Sequence, residues 1–308
     1  MINRRSTKLL PLLFTTLATF VGGGVSMGLI TMGYTSGFAA VAIGISYVIG
    51  FFILIFFAGK IRKIGEERNL YSFAEFLNTS YLKNHKLSLF PRAFSGLISG
   101  INILIFFFLT AAQFVGMATL LHYAFNVGYV WAAGISFLVV IFYTAFAGLS
   151  GVIITDFVQF ILIILMIIFI FIPGVWTDTN GFASLKNLPE SFLNGTHEGL
   201  IFLIALPLLL SPSVLTRMDI WQRTLAAGSE KIAKRNSILS GIFMLPFYII
   251  FPLVGMALRI DYGTEIDPNY ATHLFLERNT NEIFLGLAVI GLLSALCHLL
   301  TVFLTLLP

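Results

Sequence analysis

Charge is scarce in this chain. Of its 308 residues only 10% are Asp, Glu, Lys or Arg, against 58% hydrophobic, with a mean hydropathy of +0.95. A soluble domain of this length reads differently, so composition points to an all-α, polytopic membrane protein. Cysteine is nearly absent. Cys297 alone excludes an intramolecular disulfide and a cysteine-rich metal site. His85, His122, His197 and His273 lack ligand spacing with any other His, Cys or carboxylate, so no metal site is expected. There is no HExxH, no GxSxG followed by a suitable Asp and His, and no P-loop. An enzyme and a bound cofactor therefore find no support. No basic-aromatic patch suggests nucleic acid. The first apolar stretch is too long for a cleavable leader and lacks a small-residue cleavage site.

What is present is a succession of eight apolar spans, roughly 9–34, 38–59, 91–125, 129–146, 152–175, 200–222, 238–258 and 283 to the end. A membrane-crossing helix needs about 20 such residues. The third span is longer than a bilayer requires, so it should tilt or extend into the headgroups. No linker or low-complexity run divides the chain, and 1–308 reads as one transmembrane domain. Basic residues cluster in alternate connections. Arg4, Arg5 and Lys8 precede the first span; Lys60, Arg62, Lys63, Arg68, Lys83, Lys86 and Arg92 follow the second; Arg223, Lys231, Lys234 and Arg235 follow the sixth. The opposite side holds only Lys186, Arg259 and Arg278, among many carboxylates. The positive-inside rule then places the N-terminus in the cytoplasm. The stretch 71–77, YSFAEFL, reads either as a short amphipathic helix on the membrane surface or as a solvated connector.

Two spans carry interruptions. Gly22, Gly23 and Gly24 stand together in the first, and each glycine costs roughly 1 kcal/mol of helix. Ser211-Pro212-Ser213 stands in the sixth. Broken backbone in hydrocarbon is tolerated where it lines a cavity, and a pair of broken helices points to a transporter's binding site. The glycines also fit close helix packing alone.

Polar groups inside the spans are the other candidates. Asp156, with Thr155 and Gln159, opens the fifth span; the group fits a cation or a hydrogen-bond network, and Asp156 equally suits a helix N-terminus. Gln113 in the third span fits interhelical glue. Arg217, Asp219, Gln222 and Arg223 end the sixth span, where Asp219 and Arg223 are spaced to pair. That cluster fits an inner gate or a solvated helix end.

Three stretches together resemble the sodium:solute symporter family: ATFVGGGVSMGLITMGYTSG at 18–37, TAFAGLSGVIITDFVQ at 144–159, and WQRTLAAGSEKIAKRNSILSG at 221–241. YSFAEFL resembles the family's short "PEFL" loop. The resemblance implies the leucine-transporter fold, with inverted five-helix repeats and two helices broken at the midplane, here incomplete in its second repeat. It implies sodium-driven uptake of a small solute by alternating access, in the plasma (inner) membrane. Carried over, one sodium meets the carbonyls of Ala18, Val21 and Ala295, and a second meets Asp156. Phe20, Val25, Leu210 and Ser213, with Gly22, Gly23, Gly24 and Ser211 at the interruptions, line the solute. That set is not a sugar-binding set, so an amino acid, a small carboxylate or another compact solute is expected. Gln113, Gln159, Asp219, Gln222 and Arg223 take structural or gating places. A proton in place of sodium stays open.

The chain departs from the family at both ends. Members usually have an extra helix before the first broken one. After GLLSAL the family continues with a run such as MSSADSFLNVA, which supplies two sodium-ligating serines, whereas this chain reads CHLLTVFLTLLP at 297–308. A set of codons for the family run, read with its first base removed, spells the observed tail. The expectation is a one-base frameshift before position 297, leaving His298 and Leu299 where hydroxyls belong. The chain alone is then expected not to transport, and a non-transporting membrane remnant is the alternative reading.

Overall fold

A computed structural model of the chain describes residues 5–81 and 89–281, with Leu285, Gly286, Ala288, Val289 and Leu292 beyond them. Within the helices, the side chains at 23, 24, 140–156 and several positions between 81 and 109 are outside that description.

Apolar runs this long satisfy their backbone only by coiling, and among the described residues the regular structure is helical, with one isolated bridge between Thr7 and Ala227. The first apolar stretch is two helices, α1 (Leu9–Val21) and α2 (Gly23–Ser36), joined at Gly22 with ψ 165°. The glycines therefore break the helix. After a single 3-10 turn at Gly37–Ala40 the chain enters α3 (Val41–Glu67). α4 (Phe73–Tyr81) and α5 (Leu89–Phe125) follow. α6 (Tyr129–Met166) passes through a π turn at Ile167–Phe171 into α7 (Ile172–Asp178). A short α8 (Glu190–Leu193) lies in the next connection. α9 (Gly199–Thr216) and α10 (Met218–Ala226) form a second divided pair, and α11 (Glu230–Tyr262) and α12 (Ala271–Asn279) complete the described helices.

Among the described residues, five helical stretches are long and apolar enough to cross a bilayer: Val25–Glu67, Gly96–Phe125, Phe157–Asp178, Gly199–Thr216 and Glu230–Tyr262. Shorter apolar helices cover Leu9–Val21 and Tyr129–Val139. These stretches overlap the first seven expected spans, with Val25–Glu67 running from the second half of the first into the second. The fourth and fifth are continuous in α6. The expected junction near 147–151 has glycines but no proline, so no backbone donor is lost and the helix runs through. The eighth span lies largely outside the described residues, as do Ala295 and the tail at 297–308.

α11 is the central post, packed against α3, α2 and α1. Small residues allow this. A Cβ on Gly33 would sit 2.2 Å from the Pro252 carbonyl oxygen, and one on Gly255 would sit 2.0 Å from that of Ile30. Around these approaches, Ile30, Tyr34, Tyr248, Phe251 and Val254 are almost wholly buried. Backbones at such distance gain dispersion contacts that lipid cannot supply equally well.

The connections sort to two sides as the basic residues do. On one side Arg62, 3% exposed, donates to the Ala227 carbonyl at 2.5 Å and to the Arg5 carbonyl at 3.5 Å, and Thr7 bonds Ala226 and Gly228. The N-terminal segment, the end of α3 and the α10–α11 connection therefore meet. Beside them α4 starts with a capping box: the Glu75 amide donates to Ser72 Oγ, and the Tyr71 amide to the Glu75 carboxylate. Phe73 and Phe76 of α4 pack on Trp221 at 5.1 and 5.0 Å between ring centres. Residues 71–77 are thus mostly helical, with Trp221 as an aromatic partner. On the other side Arg278 bridges Asp178 and Asp261, and Tyr123 reaches Asp267. Burial there lowers the pKa of His273 against the opposing effect of Glu277.

Gly255→Ala should lower the melting temperature of the detergent-purified chain, since overpacking costs about 1–3 kcal/mol and the obstacle is backbone. Gly28→Ala is the control, because a Cβ there meets nothing within 4 Å. Equal melting temperatures for the two variants would refute this packing account.

Candidate functional site at the two helix breaks

The second break does not fall at Ser211-Pro212-Ser213. α9 is helical through Pro207 and Pro212, and the chain leaves helical geometry at Arg217, φ −61° and ψ 127°. Each proline removes one donor, which a packed helix in apolar surroundings can absorb. The serine hydroxyls are already engaged: Ser211 Oγ donates to Ser46 O of α3 at 2.7 Å, and Ser213 Oγ to Leu210 O at 2.7 Å. At Arg217, side chains take over from backbone. Trp221 Nε1 donates to Leu215 O at 2.6 Å, capping a carbonyl that the end of α9 releases. Asp219 supplies the negative charge favoured in the first turn of α10.

Arg217 and Asp219 form a two-pronged pair. Nε donates to Oδ1 at 2.9 Å and Nη2 to Oδ2 at 2.8 Å, the planar geometry in which guanidinium–carboxylate pairs are strongest. The Arg217 guanidinium lies over the Phe20 ring, 4.4 Å from its centre. Phe20 stands just before the first break. The two interruptions are therefore face to face.

Arg223 ties the same carboxylate to α1. Its Nη1 is 3.6 Å from Asp219 Oδ2 and donates to the Asp219 carbonyl at 3.0 Å. Its Nη2 donates to Thr19 Oγ1 and, at 3.5 Å, to Thr15 Oγ1. Asp219 is 1% exposed in its side chain, Arg223 9% and Arg217 17%. From α11, Asn236 Nδ2 donates to Thr16 Oγ1 at 3.2 Å, and the Tyr248 hydroxyl donates to Phe20 O at 2.9 Å. Tyr47 and Phe51 meet the Phe20 ring edge-on at 5.2 and 5.1 Å.

The structure thus brings together Phe20, Asp219 and Arg223 from the expected set. Ala18 and Val21 are buried in the last turn of α1, where carbonyls lack helical partners. Gly22 is the joint, Gly23 and Gly24 open α2, and Val25 is half-buried in its first turn. Leu210 and Gln222 are half-buried, and Gln113 and Gln159 are buried on α5 and α6. Asp156 sits on the α6 backbone with its side chain outside the described residues; Ala295 is outside them altogether. Arg217, singled out with Asp219 and Arg223 at the end of the sixth span, joins them; Thr15, Thr19 and Tyr248 were not in that set. Thr15 and Thr19, one turn apart on α1, are the signal an intramembrane arginine partner would have left.

The sodium:solute symporter family model matches residues 2–300. The chain belongs to the sodium:solute symporter family. A curated relative, sodium/proline symporter 2 of Staphylococcus saprophyticus, is 28% identical over 176 residues, which is 56% of this chain and 33% of that protein. A solved structure of a Na+-coupled sialic acid symporter, in a substrate-bound outward-open state, superposes with a TM-score of 0.72 at 17% identity. The match covers 97% of this chain and 63% of that one, so the chain spans less than two thirds of the proteins it resembles. The fold is therefore that of leucine-transporter-type sodium symporters, and this family member is an integral membrane protein.

Asp219→Asn should strip the counter-charge from two mostly buried guanidiniums of this family member. Breaking such a pair costs about 3–5 kcal/mol. A melting temperature within a degree or so of the parent would show that the pair does not hold the breaks.

Proposed function

We propose that this protein works as a sodium-coupled secondary transporter, or as the greater part of one, moving a small organic solute such as an amino acid or carboxylate by alternating access. The observation that supports this best is the meeting of the two breaks, with Arg217 at one stacked over Phe20 at the other. Unwound backbone at such a place supplies what ion-coupled transport needs. The α1 carbonyls of Ala18 and Val21 are cation ligands, and the first amides of α2 suit an anionic solute group. Sodium then drives uptake only through its different affinity for the outward- and inward-facing arrangements, which shifts the population on which the solute acts.

The side on which Arg62 gathers the N-terminal segment and the α10–α11 connection is read as cytoplasmic, because the basic residues concentrate there. The membrane is read as the plasma (inner) membrane. Asp156 is assigned to a second sodium. The chain by itself is expected to fall short of full transport, because His298 and Leu299 stand where the family resemblance puts serine hydroxyls.

Binding of radioactive sodium to the purified chain tests this reading without requiring transport. Unlabelled sodium should displace the label and potassium should not, and Asp156→Asn should lower the bound sodium several-fold. Equal displacement by potassium would overturn sodium coupling. Unchanged binding in the Asp156 variant would remove that residue from the site.

A further inference from the structure

We infer that Arg217 is a specificity-determining residue that grips the carboxylate of the transported solute, so that the site between the breaks takes small organic acids. The inference rests on the transporter reading above and names the substrate class of that site.

Arg217 has five N–H groups. Its Nε and Nη2 are committed to the two oxygens of Asp219 at 2.9 and 2.8 Å. Among the described residues Nη1 has no hydrogen-bond partner, and the side chain keeps 17% of its surface. One end of the group is thus built into the protein, and the other stays available. The charge is also only partly offset, because the Asp219 carboxylate is shared with Arg223 at 3.6 Å. A cation held like this in low dielectric favours an anion, and a carboxylate meets a guanidinium N–H in a charge-assisted bond.

The surroundings argue against other solute chemistries. The face of Phe20 is covered by the guanidinium itself, so it is not open to a solute cation. The carboxylate described at the breaks, Asp219, is engaged by two arginines and has 1% exposure, so it does not receive a solute ammonium. The hydroxyls of Ser211, Ser213 and Tyr248 all donate to backbone carbonyls, which leaves few groups for a polyol. Val25, in the first turn of α2 just beyond the break, is half-buried, as Arg217 is.

The experiment compares propionate with propionamide, which share shape and differ in charge, as stabilisers of the purified full chain in sodium chloride. Propionate should raise the melting temperature in a saturable way and propionamide should not. Arg217→Lys keeps the charge but loses the fork, and should weaken propionate binding about tenfold or more. Three results would overturn the inference: no propionate effect in the parent chain, an equal effect of propionamide, or unchanged propionate affinity in the lysine variant. The parent-chain comparison needs no variant to fold. The sodium arm is read separately, by replacing sodium with potassium. Sodium stabilisation without a propionate effect defeats this inference alone. A propionate effect with no preference for sodium supports the carboxylate site and defeats the sodium reading.

Discussion

The buried Asp219 carboxylate is the constraint on which the rest depends. It lies between two guanidiniums, one on its own side of a helix break and one reaching across to α1. Taking three charges out of water costs several kcal/mol each, and that cost is met only when the groups satisfy one another closely. The network therefore specifies where α10 sits relative to α1. It also explains why the chain can end one helix at Thr216 and begin another at Met218 without leaving the backbone unsatisfied: Trp221 takes one released carbonyl, and the charged side chains hold the flanking turns.

Around this charged centre stands a frame that is almost wholly apolar. α11 leans on α2 through Gly33, Pro252 and Gly255 at backbone contact, so the half of the broken helix beyond Gly22 is held rigidly. The half before Gly22 is held differently, by hydroxyl and amide contacts to Arg223, Asn236 and Tyr248. α1 is packed in the core as well, through Leu12, Leu17 and Phe20, and the polar bonds add to that packing.

Much of this was legible in the residues. Hydropathy marked the spans through α11, the glycine triplet marked the first break, and the basic residues sorted the connections to the sides on which Arg62 and Arg278 are found. The second break was misplaced because proline is a strong local signal, whereas what ends α9 is tertiary. Arg217 finds Asp219 and Phe20 only after α1 and α10 have packed. The fusion of two spans into α6 was hidden for a similar reason, since glycine without proline permits either outcome. Asp219 and Arg223 were spaced to pair, and they do meet. Their link to Thr19 crosses from one divided helix to the other, and spacing within a single helix carries no trace of it.

If the account is right, the bond between Arg223 and Thr19 joins the two breaks energetically and not merely in space. A double-mutant cycle on melting stability, with Thr19→Val, Arg223→Gln and both together, measures that link directly. The prediction is a coupling energy of about 1 kcal/mol or more, as for residues in one buried network. Effects that add to within about 0.3 kcal/mol would mean that the two breaks are independent, and would contradict the account.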